Sequence, residues 1–179
     1  MKYMGSKRWM LRNGLGNIIE REVKTASRFV DLFGGSMAVA THVALKYEIA
    51  VLAYDLQTFS KVLGQAILGR QSRLDAKGLW TGWYARASRF RTALRPPSAK
   101  RVTKQIVCQH RKWCRNQTGT LTRSYGGHYF SSLQAVWLDA LRQTVPEVEP
   151  ERSIAIAAML HTASQCAAAP GHTAQPFQP

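Results

Sequence analysis

Two glycines and an aspartate carry the clearest chemical signal in this chain. Gly34-Gly35 follows a short apolar run, and Asp55 ends a second apolar run 19 residues after Ser36. Glycines permit positive φ and a close approach to a ligand, and an acid about 20 residues past such a turn binds ribose hydroxyls in doubly wound α/β folds. The helix that follows the turn points its unpaired N–H groups and the positive end of its dipole into the same space, which suits a carboxylate or phosphate. The spacing predicts a nucleoside-type site with room for an anion.

A plainer interpretation of the same residues stays open. Gly34-Gly35 is then a tight turn between a strand and a helix, and Asp55 caps the helix that follows. Lys7, which follows Gly5-Ser6 near the first residue, is by itself typical of an exposed turn residue.

Hydrophobic spacing predicts the elements that position these residues. Two apolar runs predict strands, and the second is continuous, as is typical of a strand buried on both faces of a parallel sheet. Helical spacing of apolar residues follows each strand, so the order βαβα predicts an α/β fold with a parallel sheet. The predicted elements are a first helix at 9–21, strands at 29–33 and 49–54, and helices at 36–46 and 58–69.

The alternation of strands and helices stops at Arg70. The rest predicts a helix-rich region, so we divide the chain into a cofactor-binding α/β part, residues 1–70, and a basic helical part, residues 71–179. Within the second part we expect basic amphipathic helices at 79–94 and 102–113, a polar loop at 116–130, a helix at 133–141 and a partly buried alanine-rich segment at 153–169.

The charge of the chain is strongly basic. It has 25 Lys and Arg against 10 Asp and Glu, a net charge of +15. Fourteen of the basic residues fall between Arg70 and Arg123 beside a single acid, Asp75, and aromatic residues are interleaved with them. Such a band is typical of a surface that binds nucleic acid, with cations on phosphates and rings on exposed bases. A solvated helical face whose aromatics form the core is the alternative.

The three cysteines predict free thiols in a reducing compartment. Cys108, His110 and Cys114 form a cluster, but zinc needs a fourth ligand and the usual CxxC spacing is missing, so we predict no metal site. The sequence shows no signal peptide and no apolar stretch long enough to span a bilayer, which predicts a cytoplasmic protein.

Five stretches in order resemble the D12 class of N6-adenine-specific DNA methyltransferases, the DNA adenine methylase family. They are Tyr3-Met4-Gly5-Ser6-Lys7, residues 29–36 (FVDLFGGS), Tyr54-Asp55, residues 125–131 (YGGHYFS) and residues 164–179. The resemblance covers almost the whole chain. It implies a Rossmann-like methyltransferase fold and an enzyme, of the kind found in restriction-modification systems, that transfers a methyl group from S-adenosylmethionine to adenine N6 in double-stranded DNA.

The resemblance also implies roles for individual residues. The N-terminal turn and the glycine loop hold the methionine end of S-adenosylmethionine, and Asp55 takes its ribose hydroxyls. The cofactor-binding residues are then Tyr3, Gly5, Ser6, Lys7, Asp31, Phe33, Gly34, Gly35, Ser36 and Asp55. The residues expected to contact DNA are Arg111, Lys112, Arg115, Arg123, Tyr125, His128, Tyr129, His172 and Gln175. For the aromatic side chains among these, packing against the helices is an equal alternative.

Two features depart from the family pattern. Met37 stands where the family commonly has glycine, so its side chain either crowds the cofactor or points into the core. The D-P-P-Y type tetrapeptide that holds the target amino group is absent from the sequence, and so are the strands of the second half of the sheet. We therefore expect the N-terminal portion of a larger methyltransferase, with the catalytic residues unassigned and supplied by a missing half or by a second chain.

Two functions remain open from the sequence alone. One is a DNA adenine methyltransferase whose catalytic half is absent or acts in trans. The other is a catalytically inactive nucleic-acid-binding remnant, or a subunit of a split methyltransferase. An RNA methyltransferase is a third possibility, because basic residues alone do not distinguish one polyanion from another.

Overall fold

The computed structural model describes residues 7–70, 72–99 and 101–168. Over these residues the protein is a mixed α/β structure, mostly helical, with one small parallel sheet of two strands. Its elements in chain order are α1 (Lys7–Met10), a π-helical segment (Leu11–Leu15), α2 (Gly16–Glu22), β1 (Arg28–Asp31), α3 (Ala38–Lys46), β2 (Ala50–Ala53), α4 (Thr58–Leu68), α5 (Ala76–Thr92), α6 (Lys104–Arg115), α7 (Thr120–Tyr125), α8 (Ser132–Gln143) and α9 (Glu151–Cys166).

The described residues form two compact units. The α/β unit comprises residues 7–73 and Val148–Ala157, and the helical unit comprises Leu74–Glu147 and residues 158–168. The chain thus returns to the α/β unit after the basic region, and the first part of α9 belongs to it. None of the helices in the described ranges is long and apolar enough to cross a membrane.

The sheet pairs β1 and β2 in parallel, with Arg28 opposite Ala50 and Asp31 opposite Ala53. Parallel pairing is confirmed, whereas the expectation of burial on both faces is wrong. Alternate residues of each strand point the same way, and Val30 and Leu52 remain 41% and 42% exposed. Within the described residues, α3 packs on one face, and the opposite face stays open to solvent.

The core of the α/β unit lies between the covered face of the sheet and the helices before and after β1. Ile19 of α2 meets Val39 and Val43 of α3, and all three are buried. Each such side chain contributes about 2 kcal/mol when removed from water. Further apolar residues pack against this cluster: Leu11, Leu15, Phe29, Tyr47, Ile49 and Val51.

The N-terminal helix is interrupted in its middle. The sequence predicts one helix at 9–21, but Asn13 and Gly14 leave helical geometry, and Gly14 has φ of 108°. Helix formation resumes at Gly16, where no side chain fits because a Cβ would lie 2.4 Å from the Leu11 carbonyl oxygen. The glycines that weaken the helical pattern are therefore the sites of its interruption.

In the helical unit, α8 packs against α5 and α7. Local capping starts three of the helices: Asp75 accepts from Gly78 N–H, Thr103 accepts from Ile106 N–H, and Ser131 forms a capping box with Gln134. Trp83 of α5 is buried and donates from Nε1 to the Leu141 carbonyl oxygen at 3.0 Å, which joins α5 to α8.

The prediction of a loop over residues 116–130 is wrong in part, because α7 lies inside it. Gly119, at the start of α7, has no side chain with which to cap it. Asp139 of α8 takes that role and accepts from Leu121 N–H at 3.0 Å, from Thr122 N–H at 2.7 Å and from the Thr122 hydroxyl at 2.6 Å. A carboxylate distant in sequence therefore stabilises a short helix that has no local start signal.

Candidate cofactor site and nucleic-acid surface

The candidate cofactor site lies at the carboxyl ends of β1 and β2. Main-chain pairing continues beyond the strands, because Tyr54 N–H donates to the Asp31 carbonyl oxygen at 2.7 Å and Gly34 N–H donates to the Tyr54 carbonyl oxygen at 2.8 Å. This pairing brings the glycine turn beside Asp55. Ligands of open α/β sheets bind at this edge.

Asp55 is tied to the glycine turn by both carboxylate oxygens. Oδ1 accepts from Gln57 N–H at 2.8 Å, and Oδ2 accepts from Gly35 N–H at 2.7 Å. These two bonds hold the pKa of Asp55 below its ordinary value. The stability that they add is present above the ordinary pKa of an aspartate and is lost as the pH falls through the lowered pKa. A carboxylate oxygen with one hydrogen bond has a second lone pair that can accept another.

Lys7 and Asp31 meet beside the same turn. Lys7 Nζ donates to the Phe33 carbonyl oxygen and lies 3.9 Å from Asp31 Oδ1. Asp31 Oδ1 also accepts from Phe33 N–H at 3.1 Å, whereas Oδ2 is buried and has no hydrogen-bond partner among the described residues. A buried carboxylate oxygen without a donor is costly unless a ligand or water supplies one.

The structure thus brings together six of the residues predicted to bind cofactor: Lys7, Asp31, Phe33, Gly34, Gly35 and Asp55. Ser36 lies in the same turn, and Tyr3, Gly5 and Ser6 lie outside the described residues. Leu56, which the sequence patterns did not single out, has a fully exposed side chain directly after Asp55. A polar residue is expected just before the start of a helix. An apolar residue in that position, directly after Asp55, is the sequence signal that could have identified Leu56.

Met37 lies beneath the glycine turn. Its backbone is left-handed, with φ of 60°, and only 2% of its surface is exposed. A side chain at Gly34 would come within 2.7 Å of Met37 Cε, and one at Gly64 within 3.3 Å. The side chain therefore points into the core, and the two glycines leave the room that it needs. Glycine adopts positive φ without strain, so a glycine would suit position 37 as well.

We expect Met37→Ala to lower the free energy of unfolding by about 3 kcal/mol, because it removes a buried side chain and keeps the unfavourable φ. Met37→Gly loses the same contacts but relieves the backbone, so it should be about 1 kcal/mol more stable than the alanine variant. Urea denaturation of both variants measures the difference. A glycine variant less stable than the alanine variant would contradict a left-handed Met37.

The residues predicted to contact DNA lie in the helical unit. Arg111 Nε donates to the Gly127 carbonyl oxygen at 2.8 Å, and Gly127 has φ of 74° at a position where a Cβ would collide with Arg111. Burial and the nearby charges of Arg111 and Arg115 lower the pKa of His128. Two arginine side chains therefore lie close to this histidine.

The remaining predicted contacts differ in their environment. Lys112, Arg115 and Arg123 are exposed. The rings of Tyr125 and Tyr129 meet edge to face, with centroids 5.9 Å apart, and Tyr125 is 44% exposed. His172 and Gln175 lie outside the described residues.

No group of three metal-ligating side chains gathers within the described ranges. Cys114 is buried, which raises the pKa of its thiol, and His110 Nδ1 lies 3.2 Å from the Ser132 hydroxyl.

No protein family, curated protein or solved structure matches this chain.

Proposed function

We propose that this chain binds S-adenosylmethionine and DNA and serves in the methylation of adenine N6. In this proposal, β1 and β2 belong to a Rossmann-like sheet, and their carboxyl ends hold the cofactor. The observation that carries the proposal is the group formed by the glycine turn, Lys7, Asp31 and Asp55 at one edge of a parallel sheet.

The charges at this edge fit the methionine end of the cofactor. The unpaired Asp31 Oδ2 would accept from its ammonium group, and Lys7 would attract its carboxylate. The Asp55 carboxylate would accept from the ribose hydroxyls, and the exposed side chains of Phe33 and Leu56 offer apolar surface for the adenine ring. When bound, S-adenosylmethionine supplies an electrophilic methyl group on its sulfonium.

The helical unit fits the DNA part of the proposal. Its cations outnumber its acids, and Arg111 and Arg115 form a basic patch close enough to His128 to lower its pKa. Such a patch contacts phosphates and positions a protein on nucleic acid without reading its sequence.

Base capture needs groups that this sequence does not contain. The amino group of adenine is a weak nucleophile, and hydrogen bonds in a dedicated pocket must localise its lone pair. The sequence has no D-P-P-Y tetrapeptide. The residues that hold the target base would therefore lie outside this sequence.

A second candidate function is a nucleic-acid-binding protein without methyl transfer. Two observations favour it: the Asp55 carboxylate already occupies the Gly35 N–H, and Met37 fills the space beneath the turn. DNA binding is common to both functions, whereas binding of S-adenosylmethionine belongs to the first alone.

DNA binding is tested by the salt dependence of affinity for duplex DNA. Each phosphate contact contributes about 0.9 to the slope of log K against log salt. The double variant Lys112→Gln/Arg115→Gln should therefore bind more weakly and lower the slope by about 2. Fluorescence anisotropy at several salt concentrations gives both quantities.

The matched control is Arg12→Gln/Lys24→Gln, which removes the same charge from exposed positions of the α/β unit. It should keep most of the affinity and the slope. Equal losses in the two double variants would show that binding depends only on net charge, and would contradict a DNA surface on the helical unit.

A further inference from the structure

Three aromatic rings form a continuous row in the helical unit. The rings of Trp80 and Tyr84 in α5 have centroids 5.4 Å apart and planes inclined by 37°. Tyr84 in turn stacks on Trp137 of α8 with centroids 5.4 Å apart and planes inclined by 11°. The Tyr84–Trp137 pair is stacked and the Trp80–Tyr84 pair is tilted, and aromatic pairs at such distances attract each other.

The packing of α5 on α8 buries other side chains of α5. Trp83 is only 3% exposed, and Ala87 is fully buried. Trp80 and Tyr84, by contrast, remain 50% and 45% exposed. The row therefore begins at Trp80, whose indole lies against Tyr84 and also meets Trp83 edge to face, with centroids 5.9 Å apart. Half of the Trp80 surface remains exposed and is available to a further planar group.

Cations accompany the row at both ends. Arg91 lies over the Trp137 ring, with Cζ 5.5 Å from the centroid, and its buried Nε has no hydrogen-bond partner among the described residues. Lys77 precedes Trp80 by three residues and Tyr84 by seven, so helical spacing places it on the same face. From Ala76 to Thr92 the helix contains no acid.

We propose that this row, defined by Trp80, Tyr84 and Trp137, is a stacking platform for unpaired bases of single-stranded DNA. Every base has a planar face that an exposed indole can stack on, and the flanking cations suit the phosphates on either side of it. The charge of the helix favours this occupant over a neutral planar ligand. The platform rests on the proposed DNA binding and adds to it a site for unpaired bases.

The test compares two single strands of equal length and charge, oligothymidine and an abasic strand, in fluorescence anisotropy with the full chain. We expect oligothymidine to bind about tenfold more tightly than the abasic strand. Trp80→Ala should remove most of this preference and leave the affinity for the abasic strand and the salt slope unchanged. Trp80→Phe, which keeps a ring, should retain most of the preference.

Phe90→Ala is the matched control, because Phe90 is an equally exposed aromatic residue of α5 outside the row. It should leave the preference intact. Equal binding of oligothymidine and the abasic strand, with duplex binding preserved, would overturn the platform and leave the proposed function standing. Failure to bind any of the strands and the duplex would overturn the platform together with the DNA part of the proposed function.

Discussion

Replacement of Asp139 by alanine is expected to lower the free energy of unfolding by about 3 kcal/mol. The substitution leaves the N–H groups of Leu121 and Thr122, and the buried Thr122 hydroxyl, without their acceptor. Hydrogen bonds to a charged group are the strong ones, and their unpaired buried partners cost the full desolvation penalty. Urea denaturation followed by circular dichroism measures the loss.

Asp75→Ala provides the comparison, because Asp75 also caps a helix but is exposed and accepts a single bond from Gly78 N–H. Its loss should cost about 1 kcal/mol. Asp139→Asn, which keeps one carbonyl oxygen, should fall between the two alanine variants. If Asp139→Ala costs no more than Asp75→Ala, then α7 does not depend on the remote cap.

Asp31→Asn is expected to weaken binding of S-adenosylmethionine on the order of tenfold to hundredfold, the loss of one charge-assisted hydrogen bond. The substitution preserves the size of the side chain and the oxygen that accepts from Phe33 N–H. It removes the negative charge and the unpaired oxygen that we assign to the ammonium group of the cofactor. Isothermal titration calorimetry with the full chain gives the change in affinity.

Glu20→Gln is the control for Asp31→Asn, because it removes one negative charge from the same unit at an exposed ion pair with Lys46. Its affinity for S-adenosylmethionine should equal that of the unsubstituted chain. If the Asp31→Asn and Glu20→Gln variants bind S-adenosylmethionine with equal affinity, then Asp31 does not contact the cofactor.

The sequence was sufficient for the elements that depend on local signals. Apolar runs and helical spacing predicted both strands, their parallel pairing and the helices that flank them. The same patterns overestimated the burial of the sheet. An apolar strand predicts that other elements pack on both of its faces, but the pattern does not show whether such elements are present among the described residues. Val30 and Leu52 are the residues that this difference leaves exposed.

The features that the sequence did not predict depend on distant contacts. α7 is capped by a carboxylate 17 residues away from Thr122, and no local pattern reveals such a pair. The left-handed backbone of Met37 was equally hidden, since methionine rarely adopts it. Spacing did predict that Asp55 would lie near the glycine turn, but only the structure shows both of its oxygens bound to main-chain N–H groups.

The proposed role in methyl transfer requires that the glycine turn, Lys7, Asp31 and Asp55 form a working cofactor site. Calorimetric titration of the purified chain with S-adenosylmethionine tests this requirement, with circular dichroism to verify folding. We predict saturable binding with one site per chain, weakened in Asp55→Ala because the ribose acceptor and the bond to Gly35 N–H are lost. Absence of binding by a folded chain would contradict the proposed cofactor site and favour a nucleic-acid-binding protein without methyl transfer.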